Sequence, residues 1–322
     1  MNDDTASFAW TDLPSEFIHR LPDFLCDQDL DAYRAFTENV SPLSVRLTNN
    51  RMTRSEVLKH LEDSGLKADP VDWMPDAIHL DPRDRRRIQE TKLHSEGDLL
   101  IQSLSSMAAV ETLDVRPGHD VLDCCAAPGG KTALIRFRQL NQGILVANDL
   151  SKKRIFKMKR LFKHIKVEGV DINIQAAETL GGSHAGCFDR VLLDAPCSGE
   201  GRFHVDSPST WHDWEPGKVR RLAKLQQRLL RAALQTLRPG GVLIYSTCTL
   251  SPEENELVVS TILEDAPVPV TLVPIELECP GQRPGLAQWM GRSMDDGLRM
   301  TVRIIPERGM TPFFMAKLMR TA

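Results

Sequence analysis

No apolar run in this chain approaches the roughly 18 residues that would suggest a helical membrane span. No internal repeat or low-complexity stretch breaks its 322 residues. The opening segment, residues 1–14, is acidic and interrupted by proline, with neither a basic region before an apolar stretch nor an Arg-rich amphipathic pattern. It does not read as an export or transit signal. The seven cysteines, at 26, 124, 125, 187, 197, 248 and 279, include no CxxC pair and no Cys/His ladder. An odd set in a chain without an export signal argues against structural disulfides, and the spacing argues against a zinc site. No metal is expected, and reduced thiols fit a cytoplasmic protein. Cys26, Cys187 and Cys279 are expected to be small buried apolar residues. Basic excess is missing too: the formal net charge is −4, which argues against a generic nucleic-acid coat.

What is present is ordinary in bulk and informative in detail. Hydrophobic content of 41% and charged content of 26% are those of a globular protein. The length favours two domains, expected here as residues 1–90 and 91–322. Within the first, SVRL (44–47) suits a strand. TRSEVLKHLEDSG (53–65) suits a helix with a Thr53/Glu56 capping box and a Gly65 stop. Further strands are expected around VDWM and AIHL, completing a small α/β layer, with DPRDRRR (81–87) as an exposed connection beyond it.

From Gly97 onward the rhythm changes. DLLIQSLSSMAAVETL reads as a helix. VLDCC (121–125), ILVAND (144–149), DINIQ (171–175), RVLLDAP (190–196) and GVLIYSTC (241–248) read as strands separated by helices. Continuous apolar runs alternating with helices indicate a parallel sheet covered on both faces. TVRII (301–305) and PFFMAKL (312–318) read as a terminal antiparallel hairpin. The longest helix is expected over about 217–237, stopped by RPGG. Between Lys152 and Lys166 lie eight basic residues and no acid. Ile155, Met158, Phe162 and Ile165 recur at helical spacing, so this is an amphipathic helix whose basic face is either merely solvated or phosphate-binding.

Ligands of open parallel sheets sit at the carboxyl ends of the strands, and the chemically suggestive segments fall there. In AAPGG (126–130) the glycines admit close backbone approach, and the helix that follows offers free amides to an anion. Asp149 ends the next strand, where an acid can hold a ribose diol. GxGxxG is absent, so S-adenosylmethionine suits this loop better than a nicotinamide cofactor. Cys197 and Cys248 end two more strands. If those strands are neighbours, a spacing of about 4.8 Å brings the thiols to one cleft. Packing is the ordinary role of a cysteine, but both of these lie in Pro/Ser/Thr/Gly loops. SPEENE is expected to begin a helix with Ser251 as N-cap, Pro252 at the first turn and Glu254 completing a capping box, lowering the Cys248 pKa, with Glu253 and Glu254 working against this. A thiolate adding to carbon 6 of a pyrimidine makes carbon 5 nucleophilic, and Asp194 could steady ring nitrogen 3. Trp211, Trp214, His204 and His212 could stack on bases or simply pack.

VLDCCAAPGGKT, NDLSKKR, LLDAPCSGEG and YSTCTLSPEENE, in this order, resemble the RsmB/Nop/Sun family of RNA (cytosine-5) methyltransferases. The likeness covers about residues 40–320. It implies a class I, Rossmann-like α/β fold: a mostly parallel seven-stranded sheet with an antiparallel C-terminal hairpin, plus a small N-terminal α/β domain that contacts RNA. It implies S-adenosylmethionine contacts from Cys125, Ala126, Ala127, Pro128, Gly129, Gly130 and Lys131, and from Asp149, Arg154, Gln175 and Asp194. It assigns Cys248 as nucleophile, with Cys197 assisting release and Asp194 steadying the base. Gln175 departs from the acid often found near the adenine, and Cys124 replaces a common leucine and reads as packing. No further RNA-binding domain follows the sheet, which leaves substrate choice to the N-terminal unit, the basic helix or a partner.

The expectation is thus a monomeric, cytoplasmic enzyme making 5-methylcytosine in structured RNA, tRNA or rRNA. Two alternatives stand beside it: an RNA-binding ribosome-assembly factor on the same fold, and a DNA methyltransferase. The presence of both cysteines favours RNA over DNA, because DNA cytosine-5 enzymes use the Pro-Cys thiol as nucleophile.

Overall fold

A computed structural model describes residues 8–49 and 51–322. Residues 1–7, part of the segment read above for an export signal, lie outside the described residues. Among the described residues no helix is long and apolar enough to cross a membrane.

Two sheets organise the chain. The smaller is antiparallel in the order β2-β3-β1-β4, with β1 at Leu43–Leu47, β2 at Ala68–Pro70, β3 at Ala77–Leu80 and β4 at Leu99–Ile101. Helix Arg54–Asp63 covers it, and the expected capping box is formed. The Glu56 N–H donates to Thr53 Oγ1 at 3.3 Å, and the Thr53 N–H donates to Glu56 Oε2 at 2.7 Å. Val57 and Leu61 turn inward onto Val45 and Ile78. Two expectations need correction here. VDWM is a turn, because the strand that pairs with β3 precedes it at Ala68–Pro70. LLI of DLLIQSL is a strand, because its backbone completes the edge of β1 through Val45↔Ile101 and Leu47↔Leu99. The helix begins only at Leu104. An apolar run this short does not distinguish helix from strand by periodicity, and the neighbouring edge decided it. This strand lies beyond the division expected at residue 90.

The larger sheet follows the order β11-β14-β15-β9-β8-β5-β6-β7. Its parallel part comprises β5 (Val121–Asp123), β6 (Leu145–Asn148), β7 (Asp171–Asn173), β8 (Phe188–Asp194) and β9 (Leu237–Thr247). The hairpin of β14 (Val302–Ile304) and β15 (Phe313–Arg320) joins β9 antiparallel, as expected. The expected seven strands are all present. Two short ones, β10 (Val270–Leu272) and β11 (Gln282–Pro284), extend the antiparallel side to give nine. A small separate hairpin pairs β12 (Gln288–Trp289) with β13 (Arg292–Ser293). RPGG falls within β9, and the long helix, Pro216–Gln235, ends before it.

The chain runs outward through β5, β6 and β7, then returns to the other side of β5 for β8 and β9. The order therefore switches between β5 and β8, and the crevice at such a switch is where open α/β sheets bind ligands. The helices Ser15–Arg20 and Asp27–Glu38 do not join the small sheet. Trp10, Phe17, Leu21 and Tyr33 pack on Phe203, Trp214 and Leu250, against the loops that follow β8 and β9.

Candidate active site

A cavity of about 810 Å³ opens at the switch, bordered by the ends of β5, β6, β8 and β9. Of the residues proposed from sequence, Cys125, Ala127, Pro128, Lys131, Asp149, Arg154, Asp194, Cys197 and Cys248 line it. Ala126 and Gly130 line an adjoining cavity of about 300 Å³ behind the glycine loop. Gly129 and Gln175 border neither cavity. The Gln175 amide is turned to Ser183 Oγ at 3.0 Å.

Gly129 shapes the loop nonetheless. Its φ of +103° lies where side chains are disfavoured, and an added Cβ would come within 2.6 Å of Met158 and 2.9 Å of Phe162. Only glycine lets the loop turn against the basic helix and start the helix Gly130–Arg138. Asp149 is buried at the cavity wall and accepts from the N–H groups of Ala127 at 3.2 Å and Ser151 at 2.9 Å. Arg154 pairs with Asp149 at 3.0 Å and also donates to the Ala127 carbonyl. The charge that the sequence offered as a ligand contact is thus also the clamp between the two loops.

Lys131 donates to Asp194 Oδ2 at 2.7 Å, and Ser246 donates to Asp194 Oδ1 at 3.1 Å. Burial presses on the ammonium, but Asp194, reinforced by Asp123, outweighs it and holds the Lys131 pKa above the ordinary lysine value. Asp123, at the end of β5, is pushed up to about 7 by burial, against the opposing hydrogen bond from Thr132.

The two thiols meet. β8 and β9 are parallel neighbours, in register through Asp194↔Ser246, and Cys197 Sγ lies 3.1 Å from Cys248 Sγ. Their pKa values are shifted in opposite directions. The Cys248 pKa is lowered, first by hydrogen bonding with Cys197 and then by Arg202 and Lys131, with burial and Asp194 opposing. The Cys197 pKa is raised by the same hydrogen bond, by burial and by Glu254 and Asp194. Either sulfur could donate by geometry alone. Asp194 raises both thiols, so Arg202 and Lys131 beside Cys248 and Glu254 beside Cys197 set the asymmetry, which favours Cys197 as the S–H donor and Cys248 as the acceptor. Cys197 in turn accepts the Cys248 N–H at 3.3 Å.

The helix-start argument for this thiolate does not hold. Helix Glu256–Glu264 begins later than expected, and Asn255, not Ser251, stands at its N-cap. Ser251 is fully buried, and its hydroxyl donates to Glu200. The reason is a pair of buried glutamates: Glu200, which the sequence reading did not assign, and Glu254, expected only in a capping box with Ser251 and as a charge opposing the thiolate. Glu200, three residues after Cys197, accepts from Thr249 Oγ1 at 2.6 Å, from the Leu250 and Ser251 N–H groups at 3.0 Å, and from Trp214 Nε1 at 3.0 Å. Glu254, six residues after Cys248, accepts from the Ser198 N–H at 3.0 Å and from Gln226 Nε2 at 2.7 Å. Each cysteine loop therefore sends a carboxylate onto the backbone that follows the other cysteine. Burial, together with the nearby Glu200 charge, pushes the Glu254 carboxyl up to about 8. Glu200 was visible only as the charge between two glycines in SGEGR.

Gly201 completes the brace. Its N–H donates to the Cys248 carbonyl at 2.9 Å, and a Cβ there would lie 2.3 Å from the Pro312 carbonyl oxygen.

The remaining sequence expectations divide. Cys124 is buried in the core, as read. Trp214 is buried and Trp211 packs beside it, so both belong to the aromatic layer over the loops. Cys26 and Cys187 are exposed, contrary to expectation. Cys26 precedes the helix Asp27–Glu38, and Cys187 lies just before β8, so both sit at element ends where a side chain can point outward.

Comparison with known proteins places this geometry. The family described as 16S rRNA methyltransferase RsmB/F matches residues 110–319. Ribosomal RNA small subunit methyltransferase F of Cronobacter sakazakii is 30% identical over 322 residues, 98% of this chain and 65% of that protein. The protein of the same name from Aeromonas salmonicida is 34% identical over 260 residues, 79% of this chain and 54% of the relative. The chain therefore spans about half to two thirds of the length of these curated relatives. Among solved structures, a methyltransferase homologue protein from Pyrococcus horikoshii superposes with a TM-score of 0.78 at 28% identity, over 96% of this chain and 100% of that one. The chain belongs to the RsmB/F family of 16S rRNA methyltransferases.

Proposed function

We propose that this protein methylates carbon 5 of cytosine in structured RNA, with ribosomal RNA favoured by the names of its relatives, through a covalent adduct on Cys248. The observation that carries this reading is the thiol pair, 3.1 Å apart at the end of a cavity that Asp194 also lines. Two strand-end thiols whose pKa values are shifted in opposite directions suit an attack followed by a release. Adjacent free thiols also suit a cytoplasmic setting.

The residues around the glycine loop fit S-adenosylmethionine. Asp123 Oδ1 and Gln102 Nε2 are buried without hydrogen-bond partners and border the smaller cavity. One is an acceptor and the other a donor, which matches an amino-acid group carrying both charges. Asp149 and Arg154 line the larger cavity, where an adenosyl group would lie. When bound, the cofactor supplies the methyl group that carbon 5 accepts.

In this reading the Cys248 thiolate forms a bond to carbon 6, and the displaced electron pair moves to ring nitrogen 3, which gains a proton relayed from the Lys131 ammonium through Asp194. Lys131 and Ser246 keep the Asp194 carboxylate aimed at the cavity. After carbon 5 is substituted, its proton passes to water in the cavity, and the C–H electron pair restores the carbon 5–carbon 6 double bond. The carbon 6–sulfur bond breaks so that Cys248 leaves as thiolate, and nitrogen 3 returns its proton through Asp194 to Lys131. Cys197, which hydrogen-bonds that sulfur, assists the release. We also assign RNA contact to the small unit expected within residues 1–90, centred on the four-stranded sheet.

Transfer of tritiated methyl from S-adenosylmethionine to 16S rRNA and to duplex DNA tests the activity. Label in RNA that is lost in Cys248→Ala is expected. Label in DNA alone, or full activity of Cys248→Ala, would sink the reading.

A further inference from the structure

The basic helix, Lys152–Ile165, plays no part in the chemistry above, yet its charges differ from those elsewhere on the surface. Ile155, Met158, Phe162 and Ile165 are buried against the body. Lys153, Lys157, Arg160 and Lys163 are exposed. Spacings of four and three residues align them on one stripe about 15 Å long. Phe156 stands within it, 63% exposed. Of the eight basic residues from Lys152 to Lys166, only Arg154 has an acid within ion-pairing distance among the described residues, Asp149.

Other basic stretches are largely neutralised locally, with Arg85, Arg220 and Lys224 the exceptions in the two compared among the described residues. On the helix Pro216–Gln235, Lys218 pairs with Asp213 at 2.7 Å, Arg221 with Glu215 at 3.1 Å, Arg228 with Glu178 at 3.7 Å and Arg231 with Asp265 at 3.0 Å. In the segment 81–90, Arg83, Arg86 and Arg87 pair with Asp81, Glu90 and Asp84. A solvated basic face has no need to exclude acids, and like charges four residues apart, such as Lys153 and Lys157, weaken a helix. In a chain of net charge −4, this face keeps most of its positive charge uncompensated among the described residues.

Its position adds a second argument. Leu150, Ser151 and Arg154, at the amino end of the helix, border the large cavity. Lys166, at the carboxyl end, borders a groove shared with Asn49 and Arg51 of the small unit. The stripe thus bridges the active-site cavity and the small sheet.

We propose that the outer face of this helix docks the phosphate backbone of the RNA substrate, with Phe156 stacking on a base or sugar of the same strand. This rests on the RNA reading above. Unpaired lysines spaced along a stripe suit a row of phosphates. A single exposed aromatic among them lacks the apolar face that a membrane-lying helix requires.

The test uses the full chain and a fluorescent 24-nucleotide RNA hairpin, titrated between about 50 and 200 mM salt, the range over which phosphate contacts weaken most visibly. Lys153→Gln/Lys157→Gln/Arg160→Gln/Lys163→Gln is expected to bind at least about tenfold more weakly at low salt. The slope of log affinity against log salt should flatten by about 3, near 0.7–0.9 for each lost phosphate contact. Lys218→Gln/Arg221→Gln/Arg228→Gln/Arg231→Gln, the same loss of four charges on the ion-paired helix, should leave affinity and slope near those of the unsubstituted protein. Calorimetric binding of S-adenosylhomocysteine, unchanged in both variants, reports that the fold is intact. Equal weakening by the two variants, or unaltered affinity and slope in the first, overturns the docking surface. If the unsubstituted protein binds S-adenosylhomocysteine but no RNA, the functional reading fails and the surface fails with it. Loss of binding to phosphatidylserine vesicles, with RNA binding retained, would reassign the face to membranes and overturn the proposal.

Discussion

Cys197 and Cys248 end neighbouring parallel strands and touch across the same cleft, yet their acidities are shifted in opposite directions. Asp194 presses on both thiols, but Arg202 and Lys131 stand beside Cys248 and Glu254 beside Cys197. The difference does not come from the strands, which are alike, but from the loops that leave them. The loop after Cys197 turns tightly through Gly199 and Gly201 and brings Arg202 toward Cys248. The loop after Cys248 runs on to Glu254, which reaches back to the amide after Cys197. Similar residue types at similar strand ends thus acquire different acidities from where neighbouring charges fall. That is how one thiol can attack while the other stays protonated.

Replacing each thiol in turn should have the largest effect. Cys248→Ala should abolish both methyl transfer and covalent capture of RNA on denaturing gels. Cys197→Ala should still capture RNA and accumulate the adduct. The reverse pattern would exchange the two roles.

The acidity difference can be read without RNA. In the Cys197→Ala protein, alkylation of Cys248 by iodoacetamide should reach half-maximal rate at a higher pH than in the unsubstituted protein, because the S–H donor that lowers the Cys248 pKa is gone. An unchanged profile would mean that Arg202 and Lys131 suffice alone.

The brace comes next in size. Glu200→Ala leaves several buried donors without an acceptor, at a cost of about 1–3 kcal/mol each where water cannot replace it. It should lower the melting temperature and slow Cys248 alkylation together. Glu200→Gln keeps an acceptor oxygen and should recover most of both. Loss of stability with normal alkylation would show that Glu200 holds the fold without placing the thiol.

The smallest effect concerns Glu254. Its folded pKa of about 8 lies above the value near 4.3 of a free glutamate. The folded state therefore binds the proton more tightly than the unfolded state does. Stability should fall as pH rises from about 4.3 to about 8 and level off beyond. Glu254→Gln should remove part of that slope, measured as melting temperature against pH. A slope identical to that of the unsubstituted protein would place the titration elsewhere, with Asp123, also raised, as the first candidate.

Legibility in the sequence followed the range of the interaction. The strand-end position of Cys125, Asp149, Asp194, Cys197 and Cys248 was readable because apolar runs ending in Gly, Pro or Asp mark buried strands and their exits. The capping box at Thr53 was readable because it spans only three residues. Leu99–Ile101 was misread, because its state depends on an edge more than fifty residues away in the chain. Ser251 was misread as an N-cap for a related reason. Its local pattern fits one, but buried Glu200 competes for its hydroxyl and wins. The basic helix was read correctly as a helix, with the meaning of its charges left open, because ion pairing depends on acids that approach from other elements.

The amino-acid sequence by itself determined the alternation of strands and helices, the glycine loop, and the arrival of two cysteines at strand ends, since each follows from local periodicity and turn chemistry. Only the tertiary structure decided that β8 and β9 are neighbours, which places the two sulfurs 3.1 Å apart. It also decided that Arg202 and Lys131 lie beside Cys248 and Glu254 beside Cys197. Strand order and electrostatic environment are set by contacts between residues far apart in the chain, and no local pattern encodes them.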